Sequence, residues 1–260
     1  QGLTSLQSLN IDKFDTSMAE DMSYMFKNSN SLKIFILKNF KTENVKKMTE
    51  MFYGMEKITE LDLSSFNTNN VNTMIGLFQN CYLLTSLNLN NFDTSKVTYM
   101  NRMFDSCISL NSLDISNFKT DSVTDFGNMF HNCSSLSSIN LSKFNTSKSN
   151  SMINMFSGCT SLKSLVLEKF ETQNVNSFSS MFSNCYSLGY LNFPNLKTTE
   201  AYNIQNMFYN CSTLTSLYLP FFETNKIKNE NILGAFENCH QLVLSIKLEQ
   251  CSNLIENIPD

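Results

Sequence analysis

The sequence predicts an α/β repeat solenoid, with a parallel sheet of short strands along one side and short helices along the other. Three observations carry this reading: a period that never slips, a helix-spaced apolar stripe in every period, and a strand-spaced leucine pattern after it. Phe14, Phe40, Phe66, Phe92, Phe118, Phe144, Phe170 and Phe222, with Leu196 in the one gap, stand 26 residues apart. Thr follows two positions later in all nine units, from Thr16 and Thr42 to Thr198 and Thr224. The unit reads F-x-T-x-x-V-x-x-M-x-x-M-F-x-N-C-x-x-L-x-x-L-x-L-x-x.

Within a unit the elements follow in order. Thr94 and its counterparts precede the apolar stripe by three residues, where a hydroxyl can accept from free backbone N–H groups, so Thr reads as a helix N-cap. Its persistence over Asp suggests a column of packed methyl groups. Val97, Met100, Met103 and Phe104 then fall at i, i+3, i+6 and i+7, the stripe of a short helix. The helix is expected to stop at Asn28, Gly54, Asn80, Ser106, Asn132, Gly158, Asn184, Asn210 or Asn238, mostly residues that tolerate left-handed backbone. Leu110, Leu113 and Ile115 follow L-x-x-L-x-L and read as a strand. A helix of roughly ten residues is unstable alone and a lone strand lacks a partner, so the units must stack.

Cys81, Cys107, Cys133, Cys159, Cys185 and Cys211 share one position after the stop, with Ser29 and Met55 there in the first two units and Cys239 after a two-residue insertion. A position that accepts Cys, Ser and Met calls for a compact, mostly apolar side chain, and these cysteines read as buried free thiols. Bridges between adjacent units stay open, because strands ~4.8 Å apart lie within disulfide reach. Cys251 falls outside the column and is left unclassified. There is no C-x-x-C and no His pair, and His131 and His240 fall near helix ends, where a cation suits the dipole. The reading therefore expects no metal and no cofactor.

Nineteen Lys+Arg against 23 Asp+Glu give a formal charge of -4, which argues against nucleic acid as a partner. The longest purely apolar run, Ile34 to Leu37, is far short of the ~20 residues of a membrane-spanning helix. No P-loop, dinucleotide glycine pattern, G-x-S-x-G or H-E-x-x-H occurs, and the chain reads as non-catalytic. Asp62 and Asp114 are placed two strands, about 9.6 Å, apart, a carboxylate separation compatible with an inverting glycosidase but without an inferable pocket. The sequons at Asn132, Asn145 and Asn210 matter only in a eukaryotic source.

The joint recurrence of F-x-T, M-F-x-N-C and L-x-x-L-x-L from about Leu3 to about Leu242 resembles the BspA-like leucine-rich-repeat surface proteins, in particular the mycoplasma-type surface repeat of unknown function. The resemblance implies a secreted or surface-anchored leucine-rich-repeat-like solenoid associated with adhesion or host contact, and no catalytic residues to carry over. The expected organisation is one solenoid domain over residues 1–260, starting within a repeat as a fragment of a larger protein, with 240–260 as a degenerate C-terminal cap.

Residues alternating with the inward leucines should face outward. Those columns are mainly Ser and Asn, except for Ile34 and Ile36 near one end and Val166, Tyr190 and Tyr218 on three successive strands near the other. Clustered apolar residues and Tyr mark contact sites, so Val166, Tyr190 and Tyr218 are the candidate partner site. The leading functional expectation is an extracellular or cell-surface binding module for a protein or glycan on a host or neighbouring cell. The alternative is a spacer or stalk that holds another domain away from the surface.

Overall fold

In a computed structural model of the chain the described residues are 2–246, 251 and 254. Six short strands lie on one side: β1 (Ser8–Asn10), β2 (Ile34–Ile36), β3 (Ser164–Val166), β4 (Tyr190–Asn192), β5 (Ser216–Leu219) and β6 (Val243–Ile246). They pair in parallel as β1–β2, β3–β4 and β5–β6, with Ser8 opposite Ile34, Ser164 opposite Tyr190 and Ser216 opposite Val243. Between β2 and β3 the equivalent leucines stay buried, but the segments form no continuous ladder.

The short helices expected on the other side are not there. Residues 2–246 contain one 3-10 turn, Asn229–Asn231, and no α-helix. Each supposed helix instead carries two left-handed residues four positions apart, such as Gly76 (φ 56) with Asn80 (φ 61) and Asn128 (φ 57) with Asn132 (φ 55). A left-handed residue in mid-segment reverses the backbone and ends any i to i−4 bonding. The N–H groups of Met74, Gly76, Phe78 and Asn80 donate to the next unit, to the carbonyls of Tyr99, Asn101, Met103 and Asp105 at 2.8–3.0 Å. Between them, Leu77, Gln79 and Cys81 donate three residues back inside the unit at 3.1–3.2 Å. Alternate residues therefore bond across and within units. Parallel bridges run beside this ladder through Asp21, Lys47, Thr73, Tyr99, Asp125, Ser151, Ser177 and Asn203.

With no helix to cap, the threonines do something else. The buried Thr120 hydroxyl donates to the Asn145 carbonyl at 2.9 Å and accepts the Asn145 N–H at 2.8 Å, clasping the following unit. Thr42, Thr94, Thr146 and Thr172 make the same pair of bonds. A Thr fits because one hydroxyl oxygen both donates and accepts.

One apolar core runs through the stack. The second phenylalanine of each unit forms an unbroken pile, Phe26, Phe52, Phe78, Phe104, Phe130, Phe156, Phe182, Phe208 and Phe236, with centroids 5.1–5.9 Å apart and rings within 15° of parallel. The F-x-T column is buried from Phe40 to Phe222, whereas Phe14 is 65% exposed.

All eight cysteines are free. Each column thiol donates to the carbonyl of a phenylalanine in the preceding unit, as Cys107 does to Phe78 at 3.2 Å. Burial pushes the Cys81 and Cys185 thiols up to about 12, so they remain protonated. Cys251, unassigned by spacing, is buried and donates to the Phe222 carbonyl at 3.3 Å. Most of the expected C-terminal cap, residues 247–250, 252, 253 and 255–260, lies outside the described residues.

Candidate functional site

The outward strand columns are built on a turn that spacing alone did not show. The Asp62 carboxylate accepts the Ser64 N–H at 3.0 Å, and Asp114 accepts the Ser116 N–H at 3.0 Å. Asn10, Asn88 and Asn140 accept from the residue two positions on in the same way, at 2.9–3.1 Å. This column of Asn and Asp thus turns the chain at the strand end, because a short side-chain oxygen reaches the second N–H beyond it. The Ser64 hydroxyl and N–H hold the Asp62 carboxyl below the usual carboxylate range, and the Ser116 N–H and hydroxyl do so for Asp114. Both carboxylates are committed to turns, and among the described residues no group of three His, Cys, Asp or Glu converges as metal ligands.

Three members of that column lack the short side-chain oxygen, Ile36, Val166 and Tyr218, and beyond Asn192 and Tyr218 the second residue is Pro194 or Pro220, which has no N–H to give. Val166 lies opposite Asn192 in the β3–β4 pair, and Asn192 donates to the Glu168 carboxylate at 2.7 Å instead. Tyr190 lies opposite Ser164 in the neighbouring outward column, and Tyr218 lies opposite Ser245. Val166, Tyr190 and Tyr218 therefore zigzag over three successive strands. They are 48%, 53% and 63% exposed. Val243, opposite Ser216 on β6, extends the zigzag and is exposed as well. Sequence spacing missed it because the two-residue insertion upstream breaks the count; the alternation in Val243–Ile246 was the available signal.

His131 does not sit at a helix end. Its Nδ1 lies 2.8 Å from the Asp105 carboxylate, which also accepts from Gln79 Nε2 at 2.7 Å, joining three successive units. His240 is exposed.

Short parallel strands bearing L-x-x-L-x-L at a 26-residue spacing around one continuous core define a leucine-rich-repeat-like solenoid. The family model described as "Mycoplasma protein of unknown function, DUF285" matches residues 1–88, 55–164, 83–190 and 138–247, and the chain belongs to that family. Among curated proteins none matches the chain. Similar solved structures include a leucine rich cell surface protein from Faecalibacterium prausnitzii, 17% identical with a TM-score of 0.36, the match covering 89% of this chain and 78% of that one. A leucine-rich repeat protein from Bacteroides ovatus is 17% identical with a TM-score of 0.37, over 98% of this chain and 79% of that one. A third, from Eubacterium ventriosum, is 16% identical with a TM-score of 0.39, over 88% and 81%. At these scores the likenesses carry nothing about what this chain binds.

Proposed function

We propose that the chain is a non-catalytic binding module of the cell exterior whose contact surface is the C-terminal part of the strand face, centred on Val166, Tyr190 and Tyr218 and extended by Val243. The observation that carries this is the exchange at Val166 and Tyr218. Each puts an apolar or aromatic side chain where the column otherwise carries Asn or Asp and leaves it exposed; at Val166 the turn bond is given up without recovery in the core, while Pro220, two residues beyond Tyr218, has no N–H to offer one. Exposed tyrosines on a regular backbone offer wide contact area at low conformational cost, which suits a protein or glycan on another cell. A location outside the cell is what the resemblance to BspA-like surface repeats implies.

The test is binding to arrays of extracellular proteins and glycans by the unaltered chain and by the double variant Tyr190→Ser, Tyr218→Asn. Saturable binding that disappears in the variant is the expected result. Binding that survives at native affinity places the contact elsewhere, and no saturable binding by either chain favours a spacer or stalk.

A further inference from the structure

We propose that the trough along one edge of the solenoid, between Tyr82 and Tyr186, is a binding site for a neutral oligosaccharide. It lies where the chain leaves the turn side for the strands, apart from Val166, Tyr190 and Tyr218, and does not rest on their role. The residue after the Cys position reads Tyr82, Ile108, Ser134, Thr160 and Tyr186 in five successive units. Small residues in the middle and large ones at the ends leave a depression of about 440 Å3. Tyr82 is half-buried, and Ile108 and Tyr186 are exposed. The Phe pile beneath advances 5.5–5.7 Å per unit from Phe78 to Phe182, so the four steps between the two tyrosines span about 22 Å. A single sugar ring cannot touch both; a short chain can.

Charge and hydrogen bonding set the ligand class. Among the described residues no side chain lining the trough is charged. The carboxylate behind it, Asp105, is buried and held by Gln79 Nε2 at 2.7 Å, His131 Nδ1 at 2.8 Å and Ser106 Oγ at 3.0 Å. An ionic ligand would give up water for a surface without a counter-charge. An extended peptide would seek a free strand edge, and none is offered: the Ser109, Ser135 and Ser161 N–H groups already donate to the unit before, each at 3.2 Å.

The middle of the trough keeps polar groups in reserve. Asn184, Asn210 and Asn238 link their side-chain amides at 2.8 and 2.7 Å. Gly158 interrupts that chain, and the Asn132 amide leans over it, so close that a Cβ there would stand 2.2 Å from Oδ1. Among the described residues nothing bonds the Asn132 side chain, which leaves two donors and an acceptor open to the trough. The Ser134 and Thr160 hydroxyls donate to the Ile108 and Ser134 carbonyls at 3.3 and 3.2 Å, so each oxygen keeps lone pairs to accept with. Mixed donors and acceptors match sugar hydroxyls, and the tyrosine rings at the ends match the apolar C–H faces of sugar rings.

The experiment titrates the folded full chain with tetrasaccharides of glucose, N-acetylglucosamine and mannose by calorimetry, and maps protection from hydrogen exchange with each that binds. Expected is saturable binding of at least one, tighter than its monosaccharide, with protection at 106–109, 132–135 and 158–161. Ser134→Tyr fills the floor with the residue this column carries at Tyr82 and Tyr186, and should abolish binding. Tyr186→Ser makes the reverse exchange and should weaken it about tenfold. Both should melt at the temperature of the unaltered chain. No saturable binding, protection confined to the strand face around Tyr190 and Tyr218, binding that both variants retain, or tighter binding of a sulfated tetrasaccharide or a polyproline peptide overturns the proposal. The titration and the exchange map are read on the unsubstituted chain, so the outcome does not depend on a variant folding.

Discussion

The two long sides of the solenoid hold together differently. On the turn side, five backbone N–H groups of the unit around Met74 donate to its neighbours: Asn72 to the Lys46 carbonyl at 2.8 Å, and Met74, Gly76, Phe78 and Asn80 to the next unit at 2.8–3.0 Å. On the strand side of the central units the corresponding bonds are sparser and longer, Thr85 N–H to Thr59 at 3.2 Å and Asn111 N–H to Thr85 at 3.4 Å. The turn side is thus a rail of short, repeated bonds. The strand side, relieved of much of that duty, can vary its outward residues without unstacking the array, and that is where Val166, Tyr190 and Tyr218 appear. Variable contact residues on a rigid support are the arrangement recognition surfaces need.

The largest break in this comparison should come from the core shared by both sides. Phe104→Ala opens a gap between Phe78 and Phe130, each 5.7 Å from it, and is expected to destabilise by about 3–5 kcal/mol in denaturant unfolding. Next come the devices of the turn side. Thr120→Val keeps the volume but leaves the Asn145 N–H and carbonyl without the hydroxyl, with an expected loss of about 2 kcal/mol, while Thr120→Ser should retain most of the stability. Gly158→Ala puts a Cβ 2.2 Å from the Asn132 side-chain oxygen at φ 74, and is expected to lower stability by roughly 1–2 kcal/mol. If the Thr and Gly changes proved neutral in the same unfolding measurement, the turn side would not be the rail.

Substitutions on the strand face should do far less. Tyr218→Asn removes an aromatic ring at a 63% exposed position, and its stability should shift by no more than about 0.5 kcal/mol in thermal melting. A destabilisation comparable with Thr120→Val would show that the tyrosine packs as structure rather than awaits a partner. The smallest effect concerns acid. Because the folded Asp62 and Asp114 carboxyls titrate below their ordinary range, their contribution is present above about pH 4 and is lost as pH falls through the lowered folded values. Asp62→Asn with Asp114→Asn keeps the turn acceptors, so it should flatten the acid limb of the stability profile and leave neutral-pH stability nearly unchanged.

The period, the inward leucines and phenylalanines, the buried thiols and the left-handed residue before each Cys position could all be read from the residues. Each depends on a side chain's fit to a local or repeating environment. Asn and Gly at that stop tolerate positive φ, and even the exceptional Ser106 adopts it, at φ 60. The supposed helices were misread because V-x-x-M-x-x-M-F fits a helical stripe and a chain of tight turns equally well. The discriminating position lies four residues before the stop, where Gly76, Asn128, Asn154 and Asn206 hint at a second left-handed residue but Tyr24, Glu50 and Arg102 conceal it. Those three accept positive φ because the N–H of each finds a carbonyl in the next unit, at 2.7–2.9 Å. A bond to a residue 25 positions away has no local signature, so the choice between helix and turn, like the exposure of Val243 after the insertion, was made only when one unit stacked on the next.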